Sequence, residues 1–214
     1  MATHAAAQHH GEVINPSTGL GNRKLLMWAF LGSDVMFFGA FIGTYLIYRG
    51  QSLAGPYPKD ILNIPITSIS TFVLLMSSLG IVLALYYLKE SRYALAKVWL
   101  FLVIAMGVTF LGFQVFEFNE FVHEGLTPRT NMFGTTFFIL TGLHGAHVTL
   151  GVLWLSVLLF NEMKGALTTD NAVDLEIAGL YWHFVDIVWI VIFTVIYLIS
   201  ANDGGAPGSL PFTH

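Results

Sequence analysis

Residues 132–160 read MFGTTFFILTGLHGAHVTLGVLWLSVLLF, and they hold no Asp, Glu, Lys or Arg. A run this long exceeds the roughly 20 apolar residues that cross a bilayer as a helix. Backbone groups in hydrocarbon must be satisfied inside the segment, and the run shows no period-2 alternation, so it reads as a transmembrane helix and not as a barrel strand. Two titratable rings interrupt it, His144 and His147. Four more segments have the same character: 25–48, 66–88, 93–118 and 177–200. The expected fold is therefore an all-α integral membrane bundle of five transmembrane helices, spanning 23–200. A polar N-terminal arm at 1–22 precedes it, and an extended Gly- and Pro-rich tail at 201–214 follows.

Composition agrees. Of 214 residues, 55% are hydrophobic and 10% charged, against about 25% charged in soluble domains. The chain has no cysteine, which excludes disulfides, thiolate metal sites, iron–sulfur clusters and covalent c-type haem. The first 22 residues lack the apolar stretch of a signal peptide. No nucleic-acid partner is expected. Arg23, Lys24, Lys89, Arg92, Lys97 and Lys164 fall at one end of the bundle, and Arg49, Lys59 and Arg129 at the other. That imbalance predicts the amino terminus inside and the carboxyl terminus outside. The loop at 49–65, with its GPYP, is non-helical.

Ionisable side chains within spans cost several kcal/mol against lipid, so they face protein or water and mark candidate sites. Here they are Asp34, Glu117, Glu120, His144, His147, His183 and Asp186. At about 1.5 Å per residue, Asp34 and Asp186 both lie roughly 14 Å from the inner ends of their helices, His183 roughly 9 Å and His147 roughly 20 Å. Residues three or four apart share a face, which groups His144 with His147, and Glu176 with His183 and Asp186. The expectation is that Asp34 meets His144, His147, His183 and Asp186 in one hydrogen-bonded interior cluster. Glu117 and Glu120 are expected near the outer interface, where a carboxylate can stay wet. For the two histidines, hydrogen bonding between helices, proton handling and metal or haem ligation all fit the spacing. A metal site would need three or four ligands. Gly39 with Gly43, and Gly142 with Ala146, have the four-residue spacing of close helix packing.

These same stretches carry a resemblance. FGTTFFILTGLHGAHVTLGVLW (133–154) and YWHFVDIVWIVIFTVIY (181–197) resemble the last two helices of subunit III of the haem–copper oxidases. SDVMFFGAF (33–41) and FQVFEFNEF (113–121) resemble two earlier blocks of that subunit, in the same order. The resemblance implies a non-redox subunit of a cytochrome c or quinol oxidase in the bacterial cytoplasmic membrane, with no catalytic residue and no metal of its own. Haem and copper would belong to partner subunits I and II, and phospholipid would be bound. Bracing of subunit I and support of proton uptake would be its work. Two departures stand out. Asp34 occupies a position where the family has Glu, which keeps the charge and shortens the reach. Five helices stand where many members have seven, which implies a partner subunit I extended by extra helices. Two other readings compete: a stand-alone proton or ion transporter using Asp34, Glu117 and the histidines, and a haem or metal enzyme using His144, His147 and His183. The absence of an internal repeat weighs against the first, and the scarcity of further ligands against the second.

Overall fold

A computed structural model describes residues 21–48, 64–129, 132–165 and 172–199. The expected arm and tail, and loop residues such as Arg49 and Lys59, lie outside the described residues, save for Gly21 and Asn22 at the end of the arm. Among the described residues five helices form: α1 Asn22–Tyr48, α2 Ile64–Lys89, α3 Tyr93–His123, α4 Met132–Met163 and α5 Ala172–Phe193, which continues as a π-helical turn over Thr194–Ile199. All five are long and apolar enough to cross a membrane. The fold is an all-α, multi-pass membrane bundle.

Helix ends run past the apolar segments, and local chemistry sets them. Pro65 sits in the first turn of α2, where its missing N–H would be unpaired in any case. α3 extends five residues beyond Phe118 to His123 and stops where Gly125 takes a left-handed conformation, φ +85°. There the Leu126 N–H bonds the Phe121 carbonyl at 2.9 Å, and Leu126 buries its side chain in the core, as a helix-terminating glycine motif requires. The tight turn between α2 and α3 places Ser91, a non-glycine residue, at φ 58°.

α2, α3, α4 and α5 pack as a ring of four, each against its neighbours, and α1 leans on α4 and α5 from outside. Burial follows that placement: 56% of the α5 span is enclosed within the chain, against 11% of the α1 span. Arg23 pairs with Asp174 and Lys24 with Glu176, each at 2.7 Å, tying the start of α1 to the start of α5. These exposed or half-exposed pairs contribute up to about 1 kcal/mol each.

The centre of the ring is the indole of Trp182 on α5, fully buried. Its Nε1 donates to Ser77 Oγ on α2 at 2.8 Å. A Cβ at Gly107 on α3 would come within 2.8 Å of the indole, and one at Gly151 on α4 within 2.8 Å from the other side. Two glycines thus make the slot, and the ring fills it. One α-helical heptad along, Trp189 Nε1 donates to Thr71 Oγ1 on α2 at 2.9 Å.

The packing glycines differ from those the spacing suggested. Nothing lies within 4 Å of a Cβ added at Gly39, Gly43 or Gly142, and Ala146 is exposed. Within this chain those positions are open surface. The close approaches are at Gly80, Gly107, Gly145 and Gly151. Spacing marks a small-residue face but carries no information on whether a large side chain is aimed at it.

Replacing Gly107 by Leu forces the indole out of its slot. The expected cost is about 1–3 kcal/mol, read as a lower midpoint of thermal unfolding in detergent. Gly39→Leu, on open surface, is expected to leave the midpoint of the isolated chain unchanged.

Candidate functional site

The five side chains expected as one cluster separate: Asp34 and His147 form one group, His183 and Asp186 a second, and His144 stands apart from both, while Glu117 belongs to a third group elsewhere in the bundle. The first joins α1 to α4. His147 Nδ1 lies 2.8 Å from the Leu143 carbonyl. A carbonyl only accepts, so Nδ1 carries a hydrogen and donates it. The opposite nitrogen, Nε2, lies 3.5 Å from Asp34 Oδ2. At that separation the two groups are in electrostatic contact, while Asp34 Oδ2 has no hydrogen-bond partner among the described residues. Tyr181 of α5 closes the site from below, donating its hydroxyl to the His147 carbonyl at 2.9 Å. Phe38 presents an edge to the imidazole, centroids 5.0 Å apart.

The second group lies on the far side of α5, against α2. Ser78 Oγ and His183 Nδ1 share a hydrogen bond of 2.5 Å. Asp186, only 2% exposed, lies one turn further along α5, near Ser78, and neither of its oxygens has a hydrogen-bond partner among the described residues. The third group lies toward the end of the bundle away from Arg23 and Lys24. Thr67 of α2 donates to Glu117 Oε1 of α3 at 2.5 Å, and the phenol of Tyr197 reaches the same carboxyl from the π-helical turn of α5. One turn away, Gln114 donates to the Thr141 carbonyl of α4 at 2.7 Å.

Glu117 corrects the expectation of a wet interfacial carboxylate. It is 6% exposed, because α3 runs past it and α2 and α5 cover it. His144 departs from the shared-face reading. Three residues advance a helix by about 300°, so rings three apart point about 60° from one another. His147 turns to α1, and His144 turns into the ring of four. There His144 is fully buried, stacked on Trp189 with centroids 4.7 Å apart and edge-on to Phe110 at 5.9 Å. Neither of its nitrogens has a hydrogen-bond partner among the described residues. Among the described residues no set of three His, Asp or Glu converges as metal ligands.

Residues that decide these groups were not singled out by charge. Thr67, Thr71, Ser77 and Ser78 supply the α2 side of the contacts to Glu117, Trp189, Trp182 and His183. Their signal was present as hydroxyls recurring at helical spacing along one side of a helix that has no acid or base before Lys89. Glu162, 1% exposed near the end of α4, lies close to Lys97 of α3 and was also passed over.

The Asp34–His147 contact makes a measurable prediction. A double-mutant cycle with Asp34→Ala and His147→Ala is expected to give a coupling of about 0.5–1.7 kcal/mol, the range for polar contacts between membrane helices. It is read from unfolding of the detergent-solubilised protein, and a coupling near zero would show that the two side chains act separately.

Residues 9–201 match the family described as cytochrome c oxidase subunit III. The chain is 40% identical to cytochrome c oxidase subunit 3 of Alkalihalophilus pseudofirmus, across 85% of this chain and 88% of that protein. It is 38% identical to cytochrome c oxidase subunit 3 of Bacillus sp. strain PS3, across 84% and 86%. It is also 38% identical to the probable quinol oxidase subunit 3 of Staphylococcus saprophyticus, across 92% and 99%.

Proposed function

The chain belongs to the cytochrome c oxidase subunit III family, and from that premise we propose that it serves as the non-redox subunit III of a proton-pumping haem–copper terminal oxidase. It braces subunit I, binds phospholipid and supports proton uptake, while haem and copper reside in subunits I and II. The observation that supports the proton role is the Asp34–His147 pair: an acid and an imidazole 3.5 Å apart, with Nδ1 of the ring on the Leu143 carbonyl so that Nε2 is the nitrogen turned to the acid. In the resemblance Asp34 takes the family's Glu position, and its approach to His147 supports a role for the shorter acid.

The bracing role is supported by the open faces. Gly39 and Gly43 on α1, and Gly142 and Ala146 on α4, offer small residues to a neighbouring helix, and α1 is the least enclosed span. An extended subunit I, supplying the helices this chain lacks, would seat there. Lipid binding is supported by a cavity of about 440 Å³ between α1, α4 and α5. Leu26, Trp154, Val157 and Leu158 line it, with Arg23 and Asn161 at its mouth. An acyl chain suits the walls, and the Arg23–Asp174 ion pair, both members of which line the cavity, suits a zwitterionic headgroup. In this reading the basic end faces the cytoplasm of a bacterial cell, by the excess of Lys and Arg there.

Affinity purification of the tagged chain from its native membrane tests the assignment. Subunits I and II are expected to co-purify, and Asp34→Ala is expected to leave the haem content per complex unchanged while lowering turnover. Recovery of the chain alone, with ion transport in liposomes, would favour a stand-alone transporter. A Soret band or stoichiometric metal on the isolated chain would favour a haem or metal enzyme.

A further inference from the structure

α5 carries titratable groups toward two different neighbours, and only one set has been given a role. Toward α2 it presents Glu176, His183 and Asp186 at intervals of seven and three, a line of about 15 Å along the helix. A groove of about 140 Å³ runs between α2 and α5 beside that line. Glu176 stands at its end with Lys24, Gly179 and Leu180 form one wall, Ile81 and Leu85 the other, and His183 lies at its inner limit. The volume is enough for several waters. Beyond His183 the path continues through side chains: Ser78 at 2.5 Å, then the enclosed Asp186, whose two oxygens have no hydrogen-bond partner among the described residues.

We propose that His183, Ser78 and Asp186 form a second proton-binding site, entered from the basic end of the bundle through the α2–α5 groove and independent of the Asp34–His147 pair. A proton arriving at His183 Nε2 leaves the ring protonated on both nitrogens. The Nδ1 hydrogen then passes to Ser78 Oγ, and the hydroxyl, turning to the unpartnered Asp186 carboxylate, gives up its own hydrogen there. The ring ends neutral, the carboxyl protonated, and the hydroxyl unchanged, so charge is conserved and the reverse sequence unloads the site. A buried carboxyl group with no cation beside it costs several kcal/mol when charged, and an imidazole bonded to the nearby hydroxyl offers a place for the exchanged proton. The other titratable or charged groups that meet α5 are engaged elsewhere. Arg23 and Lys24 of α1 pair with Asp174 and Glu176, Asp34 of α1 lies on the Tyr181 side, His144 of α4 stacks on Trp189, and Glu117 of α3 meets Tyr197. At the level of Ser78, α2 contributes hydroxyls, Ser77 and Ser78.

The proposal builds on the proton role given above to Asp34 and His147, and its test separates the two. Infrared difference spectra of the purified oxidase complex, recorded through a pH step and in D2O, report carboxylic C=O bands. A band that responds to pH is expected in the wild type, lost in Asp186→Asn and retained in Asp34→Asn. A Cβ at Gly179 would meet Ile81 at an ordinary 3.9 Å, so Gly179→Leu should fold and fill the groove. Deuterium exchange at the Asp186 band is then expected to slow about tenfold or more. The proposal is overturned if the band survives Asp186→Asn, if Asp34→Asn removes it too, or if Gly179→Leu exchanges at the wild-type rate. Should Asp186→Asn fail to assemble, Ser78→Ala serves: the acid band should remain and exchange about tenfold or more slowly, and an unchanged rate overturns the relay. A spectrum unaltered by Asp34→Asn would remove the role of Asp34 and leave this site standing.

Discussion

Everything in the bundle is positioned by one indole in a slot of two glycines. Lipid gives no hydrophobic reason for one apolar helix to prefer another, so membrane helices associate through close packing and shared hydrogen bonds. Trp182 supplies both at once. Its flat faces need Gly107 and Gly151, and its single N–H needs Ser77, so a residue of α5 sets the distances of α2, α3 and α4 together. Trp189 repeats the arrangement one heptad on, with Thr71 as acceptor and His144 as the stacked neighbour. The two tryptophans fix the rotation of α5, and that rotation decides which residues face α2 and which face α1 and α4.

The helices were legible in the sequence because the bilayer reduces the choices: five apolar stretches, no alternation, no charge to spare. The ionisable residues were legible for the same reason, since a rare group in such a chain stands out. What could not be read was direction. His144 and His147 look like a pair at a spacing of three, yet the residual turn of about 60° sends one to a carboxylate and the other to an aromatic stack. Gly39 and Gly43 look like a packing face and Gly107 and Gly151 look isolated, yet the isolated ones receive the largest side chain in the core. A glycine's role depends on what another helix aims at it, and that is a property of the assembled ring.

Glu117 shows the same limit in depth. Counting residues from the end of an apolar run places it near the interface, and α3 then continues as helix to His123, while Thr67 and Tyr197 close over the carboxyl. The hydrocarbon sets where apolar residues must begin and end. It does not set where a helix ends, because capping chemistry at Gly125 does that.

The stretch YWHFVDIVW on α5 can now be taken residue by residue. Tyr181 bonds the carbonyl of His147, which steadies the helix segment that presents that imidazole to Asp34. Trp182 and Trp189 lock the ring of four. His183 and Asp186, on the α2 side, lie near Ser78. Period 3.6 turns a run of adjacent residues to every neighbour in space, so one short block serves α1, α2, α3 and α4 at once. That is a sufficient physical reason for so unusual a composition: the histidine is held by a hydroxyl on a neighbouring helix, and the aspartate one turn on is enclosed on the same side of α5.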